Sequence, residues 1–152
     1  MSHLPDPSID AFAASLPESY RRNFDRNAIA THARISSSRV GEPVGIGTFA
    51  SSRPGTALCV IADDRPGLLA TISAALVLAR LDVIEAEAYT RRQQGHPDDA
   101  VDVFWVRNDP SELRGKPVSP EAVEALRTTL TGLLEGTLDR ARVNEPSYRP
   151  PP

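Results

Sequence analysis

The alternation of apolar and polar positions is sharpest between residues 56 and 140. Ala57 to Ala62 is a continuous apolar run of strand length, broken by Asp63-Asp64-Arg65-Pro66-Gly67. Leu69, Ile72, Leu76 and Ala79 then recur at helical spacing, joined by Leu68 and Ala75, which predicts a helix to about Arg80 with one face fit to cover a sheet. Pro66 suits its first turn, and either aspartate can accept from the amides exposed there. Val83 to Arg91 reads as a strand with Ala86, Ala88 and Thr90 on one face and Glu85, Glu87 and Tyr89 on a polar outer face. After the turn Gln94-Gly95-His96-Pro97, Ala100 to Val106 predicts a third strand. Ala100, Phe104 and Val106 share one side, Val101, Val103 and Trp105 the other, and Asp102 interrupts the first. Ser119 as N-cap, Pro120 and Glu121 open a second helix whose stripe is Val123, Leu126, Leu130, Leu133 and Leu138.

The order strand, helix, strand, strand, helix predicts an α+β class, a ferredoxin-like βαββα core in a two-layer sandwich with both helices on one face of an antiparallel sheet. In that topology strands one and three are central, and here those are the two that are apolar on both faces. No strand signal follows the second helix, where Ala141 to Pro152 offers Val143 and then prolines. Val44 to Phe49 is the candidate fourth strand, and its glycines, Gly45 and Gly47, place it at an edge. Further upstream, helical patterns run between Leu16 and Ile35, the better one capped by Asp25, with Ser36 to Pro43 as linker. The chain thus divides into a helical segment with linker and edge strand (1–50), a main domain (51–140) and a proline-rich tail (141–152), with both ends loosely held. Val101, Val103 and Trp105 need cover from another segment or another chain, and a homodimer paired through sheet edges or helices is the expectation.

Composition narrows the classes. A formal net charge of −3 gives no basic field for nucleic acid. No apolar run reaches the roughly 18 residues that span a bilayer, and Met1 to Asp10 lacks a secretory signal's charged start and apolar stretch, so a cytoplasmic location away from membranes is expected. The single cysteine, Cys59, reads as an inert core thiol. His3, His32 and His96 lie in unrelated segments, so neither metal nor cofactor is expected. Gly41 to Gly47 lacks the lysine of a phosphate loop, and no serine has a motif-level nucleophile partner.

The stretch Ala62-Asp63-Asp64-Arg65-Pro66-Gly67-Leu68-Leu69-Ala70 resembles the first strand, loop and helix start of ACT domains. With Val83, Ala86, Ala88, Thr90 and Val101-Asp102-Val103-Phe104-Trp105-Val106, it is most similar to the ACT region of bacterial PII uridylyltransferases. Leu16 to Tyr20 and Ile29 to His32 resemble the segment leading into that region. The nucleotidyltransferase and metal-hydrolase signatures of those enzymes are absent from this sequence, so the resemblance implies their sensory end alone. It further implies an amino acid or similar metabolite bound at an interface between domains, and a nitrogen-sensing role.

The residues give that implication a physical basis. Amides around Gly67, Leu68 and Leu69 lie at a helix start, where partial positive charge favours a carboxylate. Gly67 admits a ligand to the backbone, Asp64 can accept from an α-ammonium, and Arg65 can steer an anion. Asp102 on an apolar face demands a partner. These six are the candidate ligand-binding residues, no catalytic residue is assigned, and Asp63 reads as structural. Two other functions stay open: a ligand-free dimerisation or protein-interaction scaffold, and an acylphosphatase-like enzyme.

Overall fold

A computed structural model describes residues 7–109 and 115–136. Among these residues the elements are α1 (Pro7–Ala14), α2 (Glu18–Asn23), α3 (Arg26–Ser38), β1 (Val44–Phe49), β2 (Thr56–Asp63), α4 (Leu68–Leu78), β3 (Leu81–Arg91), β4 (Asp99–Asn108) and α5 (Pro120–Glu135). The expected proline-rich tail, the first residues of the chain and Leu138 at the end of the second stripe lie outside the described residues.

The strands pair antiparallel in the order β1-β2-β4-β3, an α+β sheet compatible with a ferredoxin-like fold. β1 stands beside β2, so the Val44–Phe49 segment completes the sheet within the same chain. The two central strands, β2 and β4, are the ones apolar on both faces, and β3 is the other edge, as its composition predicts.

Alternation sends Leu58, Val60, Phe104 and Val106 to one side, where Ile72 and Leu76 of α4 and Leu126 and Leu130 of α5 bury them. α5 begins as its sequence predicts: the Ser119 hydroxyl accepts from the Ala122 amide at 3.1 Å and Pro120 fills the first helical position. α4 departs from expectation at its start. It opens at Leu68 rather than around Pro66, and Leu69, assigned to the core stripe, is 50% exposed.

The other side corrects the two-layer expectation. Ala57, Cys59, Ile61, Val101, Val103 and Trp105 are buried beneath α1–α3, whose Phe12, Tyr20, Phe24, Ile29 and Ile35 form a second core with them. The sheet is therefore the middle of three layers. The apolar face that called for another segment or another chain is covered by this chain's own N-terminal helices. Gly45 and Gly47 make the close approach possible: a Cβ on Gly45 would lie 2.9 Å from the Ile35 carbonyl oxygen, and one on Gly47 would lie 3.0 Å from Ile35 Cδ1. The glycines are where α3 rests on β1.

Candidate functional site

The loop leaving β2 is fixed at both ends by its own backbone. The Asp64 amide donates to the Asp98 carbonyl at 2.8 Å, tying the loop to the start of β4, and the Leu68 amide donates to the Arg65 carbonyl at 3.2 Å. Gly67 then turns the chain with φ +80°, a left-handed conformation that carries little strain for glycine alone. No side chain caps α4. Neither Asp63 nor Asp64 takes the capping role open to them in the sequence. With the Leu68 amide engaged, the amides of Leu69 and Ala70 are those left facing outward at the helix start.

All six residues selected from the sequence, Asp64, Arg65, Gly67, Leu68, Leu69 and Asp102, border one cavity of about 280 Å³. Its remaining wall comes from Ala70 on α4, from Ala88, Tyr89 and Thr90 on β3, and from Ala100 on β4. That volume sits just under the roughly 300–1,000 Å³ of sites for drug-sized ligands, so it suits a small metabolite. Arg65 turns toward α5, Nη2 donating to the Leu134 carbonyl at 3.1 Å, where a cation also complements the C-terminal end of that helix.

Asp102 forms part of the floor. It lies between Val60 on β2 and Ala88 on β3, is 4% exposed, and its carboxylate has no hydrogen-bond or ion-pair partner among the described residues. Burial pushes its carboxyl up to about 7, with the nearby Asp64 charge adding to the shift. The cavity thus offers uncapped amides and partial positive charge together with two carboxylates, one exposed and one buried.

A larger cavity, about 410 Å³, lies at the same end of the sheet on the α3 side. Its charges already satisfy one another: buried Asp99 accepts from Arg39 at 3.2 Å, Arg91 at 3.3 Å and Gln93 at 3.0 Å, while Arg39 also holds Asp63 at 3.0 Å. Asp63 accepts from Arg39 on this side of the sheet, while Asp64 borders the other cavity. Sequence reasoning missed this clasp, whose one visible signal is an acidic residue at the start of a central strand. It also missed the aromatic layer under α2 and α3. There buried His32 bonds Tyr20 Oη through Nδ1 at 2.6 Å and packs edge-on to Phe24 and Phe49. Trp105 donates to the Ser51 hydroxyl at 2.9 Å under the Arg53 guanidinium, 4.0 Å from the ring centre. Cys59 is fully buried, its thiol pushed far above the usual range by desolvation.

Among the described residues no group of three or more His, Cys, Asp or Glu side chains gathers as metal ligands, and no helix is long and apolar enough to cross a membrane. No family model matches the chain. It is 27% identical over 131 residues to a bifunctional uridylyltransferase/uridylyl-removing enzyme of Phenylobacterium zucineum, across 86% of this chain but 13% of that enzyme. That relative is of the class the sequence resemblance named, and this chain spans a small part of its length.

Proposed function

We propose that the chain is a non-catalytic, cytoplasmic regulatory module of the ACT type, sensing a small metabolite through the cavity between the start of α4 and β3–β4. The observation that carries this reading is the convergence of six residues, chosen on sequence grounds, around one cavity that offers both helix-start amides and carboxylates. An amino acid matches that polarity: its carboxylate meets the amides of Leu69 and Ala70, and its ammonium meets Asp64. Glutamine is the first candidate because the resemblance is to enzymes that sense nitrogen status. A thermal-shift panel of the twenty amino acids, followed by calorimetry, tests it. A true ligand at 100 times its dissociation constant adds about 2.7 kcal/mol of stability. Absence of both shift and heat at millimolar concentration removes the proposal.

Dimerisation enters on a different footing from the sequence argument. Among the described residues β3 pairs on one side only and exposes Val83 (46%) and Ile84 (44%). A second copy laid along β3 would sit beside Ala88 and Thr90 and close the cavity mouth. The scaffold alternative shares this edge but not the ligand. In that case Asp64→Ala leaves every amino-acid response absent and the assembly state unaltered. The acylphosphatase-like reading needs an arginine committed to an anion, whereas Arg65 donates to the Leu134 carbonyl.

A further inference from the structure

Resting on the ligand-cavity reading above, we propose that Asp102 sets the specificity of the cavity: its carboxylate receives an N–H donor at the far end of an amino-acid side chain. Nitrogen-tipped side chains, carboxamide or cationic, are selected over carboxylate-tipped ones.

Asp102 has an unmet requirement. A carboxylate set in a largely apolar wall and left without a protein donor is costly, and native proteins satisfy such groups with protein, water or ligand. Asp102 is 4% exposed, borders the cavity, and has no donor among the described residues. None of the groups around it donates to it. α4 offers Leu68, Leu69 and Ala70, β3 offers Ala88 and Thr90 with Tyr89, and Val60 and Ala88 are its lateral neighbours. Tyr89 turns its hydroxyl toward Asn23 and Glu87 on the opposite side of the sheet. Of the charged residues at the cavity, Arg65 is drawn to the carbonyl end of α5, and Asp64 repels.

A ligand that brings one carboxylate and two nitrogen groups completes the set. The carboxylate takes the start of α4, the α-ammonium takes Asp64, and the second nitrogen reaches Asp102. A side-chain carboxylate in the same place meets like charge when Asp102 is ionised. Burial pushes the Asp102 carboxyl up to about 7, so a neutral carboxyl at lower pH can donate to a side-chain carboxylate instead. Discrimination should therefore widen as pH rises.

The test is isothermal calorimetry on the full chain at pH 6 and pH 8, with glutamine against glutamate, asparagine against aspartate, and lysine against norleucine. For the wild type, at least one nitrogen-tipped member should bind about tenfold or more tighter than its counterpart at pH 8, equal to about 1.4 kcal/mol. With glutamine against glutamate, the gap should narrow at pH 6. The isosteric Asp102→Asn variant should lose most of that discrimination and its pH dependence. Equal binding within the wild-type pairs overturns the inference without any variant. Binding that keeps its full discrimination in Asp102→Asn overturns it too, and both results leave the cavity reading standing. No binding by any member removes the inference and the cavity reading together.

Discussion

Two buried titratable side chains pull the stability of this molecule in opposite directions with pH. Asp102 has a folded value of about 7 against an ordinary 3.8, so the folded state holds the proton more tightly. Its contribution is fully present below about 4 and is lost as pH rises toward 7. His32 is the reverse: burial lowers it from 6.5 to about 4, so its contribution is present above 6.5 and lost as pH falls toward 4. Melting temperatures recorded from pH 4 to 8 should show Asp102→Asn abolishing the decline toward neutrality while the acid-side loss from His32 persists. At pH 8 that variant should be more stable by about 1–2 kcal/mol, since an ionised buried group is replaced by a neutral one of the same shape. A second residue-level expectation concerns Gly45. Alanine there should cost about 1–3 kcal/mol by urea titration, because its Cβ would press on the Ile35 backbone. Asp102 was legible in the sequence as a break in an apolar face. The purpose of Gly45 and Gly47 was not, because it depends on a helix packed across the strand rather than on the strand itself.

At the scale of elements, the signals that proved readable were local ones. Ser119 and Asp25 each bond an amide three residues on, at 3.1 Å and 2.8 Å, so replacing either with alanine should cost about 1 kcal/mol in thermal or chemical unfolding. The start of α4 was harder to read. Proline and two aspartates fit a helix opening by composition, but Gly67 turns left-handed and the helix begins after it without a side-chain cap. The six candidate residues still border one cavity, since the loop's place is set by the strand before it and the helix after it. β3 carries a register shift between Val83 and Glu85 that alternation alone does not reveal. The partners of α1–α3 on β2 and β4 lie far along the chain. The docking of these helices on the sheet was therefore invisible to local periodicity, although the apolar face awaiting them was plain.

For the whole molecule, the sheet end is held by a charge cluster and the sheet face by the N-terminal layer. Removing the Asp99 carboxylate, as Asp99→Ala, leaves Arg39 and Arg91, 13% and 17% exposed at their side chains, without their shared acceptor. About 3 kcal/mol or more of destabilisation is expected by denaturant titration, because one side of a largely buried ion cluster is stripped. A chain starting at residue 51 would lose β1 and uncover Ala57, Ile61, Val103 and Trp105 at once. It should be recovered as aggregate rather than as a folded unit, checked by size-exclusion chromatography beside the full chain.

The lone tryptophan of the sequence sits on the helix-covered side, pinned between the Ser51 hydroxyl and the Arg53 guanidinium, while the cavity opens on the reverse side of the same sheet. The protein thus contains its own optical gauge. Emission from Trp105 reports whether the N-terminal helices stay seated, and a change in that glow when glutamine is added would mean that a message crosses the sheet from one surface to the other.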